Sequence, residues 1–221
     1  MEKRQIKIIG FNGSPRKTWN TATLLQKALE GAAAQGAETE LFHLYELTYR
    51  GCRSCFACKT NNGRNYGCCA ARDGLTSILK KVEQVDAILL GSPIYYGRVT
   101  GEMKSFMERL MFPYSTYTDP PGTLYPRKIK TGFIYTLSNE EEVARKRGYD
   151  SYFNANEMML RRIFGSSESL CSYDTCHFED YSKYVASRFD PLRKARRRIE
   201  VFPKDCENAF AMGTRLATEA D

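Results

Sequence analysis

A chain of 221 residues, 42% hydrophobic and 27% charged, has the composition of one ordinary globular domain that buries roughly 70% of its unfolded surface, so its eight cysteines are not needed as staples. Thirty-three basic against 26 acidic side chains leave +7, a balance compatible with an anionic cofactor, with nucleic acid or with plain solubility. No run approaches the roughly 18 apolar residues of a membrane span, and the start MEKRQIKIIGFNGSPR lacks a signal peptide's apolar core, so the expected compartment is the reducing cytoplasm, where clustered cysteines point to metal or redox chemistry.

Residues 7–11 form a short apolar run halted by Asn, Gly, Ser and Pro, which reads as a buried strand ending abruptly. Leu24, Leu25, Ala28, Leu29 and Ala32 then recur at helical spacing, closed by Gly36, and residues 39–45 alternate as a second strand. Periodicity vanishes over 48–72, a loop rich in Gly, Asn, Arg and Cys. A short helix at 75–82 precedes a third strand from Asp86 to the turn at Pro93, and the next helix carries Met103, Phe106, Met107 and Leu110 on one face. Residues 113–127 read as an excursion loop, 129–137 as a fourth strand, 140–164 as mostly helix despite Gly148, and 170–173 as a fifth strand. Phe202, Cys206, Ala209, Phe210, Gly213 and Leu216 share one stripe of a last helix, with Pro203 suited to its first turn. Strands alternating with helices predict a single α/β domain over residues 1–221, a doubly wound parallel sheet with helices on both faces.

Gly13-Ser14-Pro15-Arg16, followed by Asn20-Thr21, sits where the first strand hands over to the first helix. A helix N-terminus offers unpaired amides and a positive dipole end; Ser14, Asn20 and Thr21 add side-chain donors and Arg16 a cation, so the expected guest is a phosphate. There is no Lys-Ser/Thr ending as in a Walker loop and only one glycine, so the dinucleotide fingerprint is excluded. The competing reading is a plain turn in which Ser or Asn caps the helix. Gly91-Ser92-Pro93-Ile94-Tyr95-Tyr96-Gly97 holds the corresponding place after the third strand, a stiff loop whose tyrosines suit a planar, partly polar ring or simply pack. The two loops flank the switch point of a five-stranded sheet ordered 2-1-3-4-5.

GSPR with Asn20-Thr21 behind it, then GSPIYYG leading into TGEMKSFMERL, resembles the flavodoxin-like NADPH-dependent FMN reductase family over about residues 5–112. The resemblance implies FMN held non-covalently, its phosphate at Ser14, Arg16, Asn20 and Thr21 and its ring against Pro93, Ile94, Tyr95, Tyr96 and Gly97, with a third contact near residues 136–138. It also implies NADH or NADPH as hydride donor, a quinone, flavin, ferric or protein electron acceptor, and a homodimer or homotetramer with its contact around residues 113–125. Hydride chemistry on a flavin demands no protein acid or base, so no side chain is named catalytic. Two other readings are a flavodoxin-type carrier reduced by a partner protein, against which +7 counts modestly, and a redox-sensing flavin-binding protein without turnover.

Cys52, Cys55 and Cys58 form CxxCxxC, followed after nine residues by Cys68 and at once by Cys69. Cysteine-only ligation at this spacing is typical of iron–sulfur sites; zinc more often takes two separated CxxC knuckles, and free thiols shaping the loop are a third reading. The pattern is similar to the iron–sulfur flavoprotein branch of the same family, which implies a [4Fe-4S] cluster on Cys52, Cys55, Cys58 and Cys68, with Cys69 competing for the last place and the last gap longer than in that pattern. The basic run Arg193, Lys194, Arg196, Arg197 and Arg198 has no nucleic-acid module around it and reads as a solvated helix face, with a subunit contact or the adenosine phosphate of NADPH as the other readings. His43 and His177 read as structural, and Cys171, Cys176 and Cys206 as interior thiols; Tyr173, Phe178, Tyr181 and Tyr184 either pack internally or cover a partner's flavin site.

Overall fold

The first apolar run becomes β1 (Lys7–Asn12), which in the computed structural model, describing residues 4–218, lies between β2 (Glu38–His43) and β3 (Ala87–Tyr95). β5 (Ile129–Thr136) and β6 (Gly165–Ser172) extend the sheet, and every neighbouring pair in the order β2-β1-β3-β5-β6 is parallel. This is the expected 2-1-3-4-5 order once β4 (Arg98–Val99), a two-residue strand antiparallel to the end of β3, is set aside. The register places Asn12 beside Gly91 and Pro93 beside Thr136, so β1, β5 and β3 end in a stagger, each about two residues beyond the last, at the same edge of the sheet.

Successive side chains of a strand point to opposite faces, and a parallel sheet covers both. Ile8, Ala87, Leu89 and Ile134 pack under α1 (Asn20–Ala33) and α7 (Phe202–Leu216). Ile9, Phe11, Ile88, Leu90, Phe133 and Tyr135 pack under α2 (Thr76–Val82), α3 (Gly101–Met111) and α5 (Tyr149–Phe164). α1 and α7 touch backbone to backbone: a Cβ on Gly213 would stand 1.6 Å from the Ala28 carbonyl oxygen, and one on Gly31 2.0 Å from that of Phe210.

Several expectations are corrected. The helix read over 140–164 is two, α4 (Glu141–Lys146) and α5, because Gly148 takes φ +73° and turns the chain between them. The last strand begins at Gly165 rather than 170, since pairing with β5 recruits Ser166, Ser167 and Ser169, which have no strand signal of their own. The excursion at 113–127 folds back on the core: Ser115 bridges Thr123, and Tyr114 and Tyr125 are buried edge to face, 5.0 Å apart, against Phe164. The basic run forms α6 (Pro191–Glu200), capped by the Asp190 carboxylate, which accepts from Leu192 and Arg193 N–H. It is not simply solvated, because Lys194 is wholly buried. Among the described residues no helix is long and apolar enough to cross a membrane.

Candidate functional site

The loop after β1 is built from short side chains that turn the backbone on itself. Asn12 is fully buried; its Oδ1 accepts from Ser14 N–H at 3.0 Å and its Nδ2 lies 2.9 Å from His43 Nδ1. Ser14, also buried, accepts from Arg16 N–H at 3.1 Å. The N-cap of α1 is Trp19, whose side chain makes no cap bond, so the plain-turn reading lacks its capping residue. The first-turn amides of α1 therefore face the loop with the dipole's positive end, which is what an anion needs.

The side chains expected to join those amides have other partners. Thr21 Oγ1 bonds Thr136 Oγ1 at 2.7 Å, both buried; Asn20 donates to the Cys176 carbonyl at 2.8 Å and accepts from Arg198 at 2.9 Å. Arg16 donates to the His177 carbonyl and lies over the Trp19 ring. Of the predicted phosphate set, Ser14 stays in the turn, while Thr21 fastens that turn to the end of β5 and Arg16 and Asn20 fasten it to the loop after β6.

Pro93, Ile94 and Tyr95 run to the end of β3, and the chain returns as β4 with Ile94 opposite Val99 and Tyr95 opposite Arg98. Tyr96 and Gly97, the two residues between, both have positive φ, +51° and +82°, so the aromatic loop is a two-residue hairpin turn of the primed kind. A tyrosine in the left-handed region is uncommon, and this one is fully exposed at the tip, with Tyr95 half exposed beside it. Thr100 joins this hairpin to the first loop. Buried at 1% exposure, it donates to the Gly13 carbonyl at 2.7 Å, caps α3 by accepting from Met103 N–H at 3.2 Å, and its own N–H reaches Ser92 Oγ at 3.1 Å. Gly13 N–H in turn donates to the Gly91 carbonyl at 2.7 Å, and a Cβ there would stand 2.7 Å from that of Met103.

The third loop, after β5, is held from behind. Thr175 N–H and Oγ1 donate to the Leu137 carbonyl at 2.7 and 2.9 Å, and Asp174 N–H to that of Asn139 at 2.7 Å. Lys194 donates to the Ser138 carbonyl at 2.9 Å and pairs with the Asp174 carboxylate; burial of that ammonium is tolerable only because it is paired. Arg193 pairs with Glu140 and Asp174, Arg197 with Asp205, and Arg198 holds Asn20 while lying over Trp19 and Phe202. Four of the five cations read as a solvated face thus tie α6 down: Arg193 and Lys194 to the loops at Glu140 and Asp174, Arg197 to α7 and Arg198 to the start of α1. Phe178 and Tyr184 stack at 3.9 Å and, with Arg16, Lys17, Trp19 and Lys183, line a 440 Å³ cleft outside the first loop. Burial, with Lys17 near His43 and Lys194 and Arg16 near His177, holds both imidazoles below their ordinary pKa of 6.5.

All eight cysteines are free. Cys52, Cys55, Cys58 and Cys69 line a 380 Å³ cavity together with Asp73, Glu108 and Arg109. Cys68 lines an adjoining 270 Å³ cavity that Cys69 also borders, and its Sγ lies 3.9 Å from Glu83 Oε1. Burial raises the Cys58 thiol pKa, and burial with Glu83 raises that of Cys68. Lys59 donates to the carbonyls of Phe112, Pro113 and Ser115, fixing the loop on the C-terminal end of α3. Among the described residues no three His, Cys, Asp or Glu side chains are grouped as ligands of one ion. α3 connects the two regions, with Thr100 capping one end and Arg109 near the other, roughly 13 Å along the axis. Thr100 had a legible signal, a Thr directly before an apolar-periodic run, whereas Asn12, Lys194 and Arg109 had none.

The sheet order, the phosphate-type loop after β1 and the aromatic hairpin after β3 together define a flavodoxin-like protein. Sequences described as NADPH-dependent FMN reductase match residues 6–125, more than half of the chain, and the chain belongs to that family. It is 39% identical over 104 residues to an iron-sulfur flavoprotein of Methanocaldococcus jannaschii, covering 47% of this chain and 51% of the relative. To an iron-sulfur flavoprotein of Archaeoglobus fulgidus it is 36% identical over 104 residues, 47% of this chain and 48% of the relative, so the chain matches about half the length of these relatives. Among solved structures it resembles an NAD(P)H:quinone oxidoreductase from Methanothermobacter marburgensis (TM-score 0.67, 14% identity, 96% of this chain and 100% of that one). It also resembles an FMN-dependent NADH-azoreductase from Bacillus anthracis (TM-score 0.65, 12% identity, 97% and 100%). At such identities the likeness shows the fold.

Proposed function

We propose that the chain is an FMN-dependent NAD(P)H oxidoreductase that passes electrons from a reduced nicotinamide to a quinone, flavin, ferric or similar acceptor. The carrying observation is the junction at Thr100 and Gly13, which locks an uncapped helix N-terminus to a tyrosine hairpin at the carboxyl edge of the sheet. FMN fits this place: the first-turn amides and Ser14 would hold its phosphate, and Pro93, Ile94, Tyr95, Tyr96 and Gly97 would face its ring. When bound, the flavin supplies hydride acceptance and stepwise electron release. The chain's part is placement: Arg16, Asn20 and Thr21 hold the phosphate loop in shape, Tyr95 and Tyr96 orient the ring, and Lys194 keeps the loop at 136–139 in position. The names of the quinone oxidoreductase and the azoreductase support a small-molecule acceptor. A homodimer or homotetramer belongs to the same reading, supported by the exposure of Val185, Leu192 and Ile199.

The cysteine cavity supports an iron–sulfur cluster as a second redox group of this enzyme. Four cysteines, Cys52, Cys55, Cys58 and Cys69, line one cavity, and an iron–sulfur cluster held on such thiolates would, as a one-electron partner, complement the flavin. The names of the relatives, iron-sulfur flavoproteins, support a cluster in this reading.

The test is direct. Purified protein should take up FMN stoichiometrically and oxidise NADH or NADPH with quinone or ferric acceptors in the absence of any partner. Colourless protein that neither binds added FMN nor oxidises either nucleotide would sink the proposal; FMN binding without nucleotide oxidation would leave the carrier or sensor reading in its place.

A further inference from the structure

We infer that Cys69, positioned by the buried Arg109–Asp73 pair, is the fourth thiolate of the cysteine cavity, and that Cys68 is not a ligand. The inference rests on the cluster reading of that cavity and assigns which of two adjacent cysteines completes it. Cys69 lines the cavity with Cys52, Cys55 and Cys58, whereas Cys68 does not border it and lies at Glu83.

The backbone accounts for the long last gap. Turns closed by Gly63 N–H to Thr60 O, Tyr66 N–H to Gly63 O and Cys68 N–H to Asn65 O fold the intervening residues outward. Gly67, at φ +75°, then donates its N–H to the Cys58 carbonyl at 3.0 Å and brings the chain back to the CxxCxxC segment. The nine-residue spacer is therefore a closed excursion, and the first side chain to face the cavity after the return is Cys69.

Arg109 supplies the second line of argument. Its side chain is 2% exposed, and each edge of the guanidinium is committed: both Nη atoms to Asp73 at 2.8 and 3.2 Å, Nη1 also to the Arg50 carbonyl at 2.9 Å, and Nε to Cys69 Sγ at 2.9 Å. A neutral thiol is a weak acceptor, whereas a thiolate, free or metal-bound, makes a charge-assisted bond with such a donor. Directing a buried, geometrically fixed N–H at one sulfur therefore points to a ligand sulfur. Arg109 acts on the metal only through Cys69, as a positioning residue that holds the ligand and donates to its sulfur.

The test uses protein prepared anaerobically, with iron and acid-labile sulfide measured per bound FMN so that retained flavin reports an intact fold. Cys69→Ala should lose most of its iron and sulfide while keeping FMN, and Cys68→Ala should keep both. Loss from Cys68→Ala with retention in Cys69→Ala overturns the assignment, as does equal behaviour of the two. Wild-type protein with FMN but no iron or sulfide ends the cluster reading, and the inference with it, by a result that the ligand swap cannot mimic. Arg109→Lys keeps the charge and removes the Nε donor. It should retain FMN and lower the reduction potential of the iron centre, because a hydrogen bond to a ligand sulfur stabilises the reduced, more negative state. An unchanged potential refutes the positioning role even if Cys69 proves to be the ligand.

Discussion

Replacing Thr100 by valine preserves shape and removes one hydroxyl from the junction of the first two loops. That hydroxyl donates to the Gly13 carbonyl at 2.7 Å and accepts from Met103 N–H at 3.2 Å as the cap of α3, at a position 1% exposed. A buried carbonyl left without its partner costs about 1–3 kcal/mol, and loss of a threonine cap about 0.5–2 kcal/mol. Gly13 keeps its own bond to the Gly91 carbonyl, so the loop stays attached while its carbonyl is released. The sum, roughly 1.5–5 kcal/mol, divides between stability and the work of re-forming the loop around phosphate, and each 1.4 kcal/mol in the second share is about tenfold in Kd. Urea denaturation of the apoprotein, together with flavin-fluorescence titration with FMN, separates the shares. Thr100→Val should be less stable and bind FMN at least tenfold more weakly, and Thr100→Ser, which retains both bonds, should lie close to wild type. Wild-type affinity in Thr100→Val would refute the reasoning that this hydroxyl sets the spacing between the two loops.

Three further outcomes are expected. Gly213→Ala should destabilise the chain by about 1–3 kcal/mol or more in urea denaturation although alanine is the better helix former by about 1 kcal/mol, because its Cβ would stand 1.6 Å from the Ala28 carbonyl oxygen and must force α7 off α1; unchanged stability would contradict that packing. Tyr96→Asn keeps a residue that accepts φ +51° and removes the exposed ring, so thermal stability should hold or rise slightly while FMN binding weakens; equal FMN affinity would take Tyr96 out of the site. His43 and His177 are both held below their ordinary 6.5, so the fold binds fewer protons than the unfolded chain: their stabilisation is complete above about pH 6.5 and is lost as pH falls towards the folded values. Urea midpoints should therefore drop between pH 7.5 and 5.5, well above the range where the depressed carboxylates of Asp73 and Asp86 titrate, and the drop should shrink in a His43→Asn, His177→Asn double variant.

What the amino-acid sequence determines by itself is whatever depends on near neighbours. The run ending at Asn12, the helical stripe of α1 and the CxxCxxC spacing each express a local period or a local turn preference, and from them follow the first strand, the loop at its end and a thiol-rich loop, whereas β3 runs past the expected stop at Pro93 to Tyr95, where it pairs with β4. Even the tight hairpin is foreshadowed by Gly97, although nothing local shows that Tyr96 shares its left-handed backbone.

Tertiary structure decides which partner each polar group finds. A row of five cations has the local pattern of a solvated helix, yet Lys194 is buried on Asp174 and Ser138, and Arg198 reaches Asn20 across 178 residues. Arg16, Asn20 and Thr21 have the composition of a phosphate site, but packing gives their side chains partners at Thr136, the last residue of β5, and at Cys176 and His177 in the loop after β6. Adjacent cysteines are equivalent as letters; they part company because the turn at Gly67 sets one against Glu83 and the other against Arg109, 40 residues away in the chain. Periodicity and turn chemistry are short-range and can be read along the chain, whereas a buried charge is stable only beside a partner that the fold itself must bring.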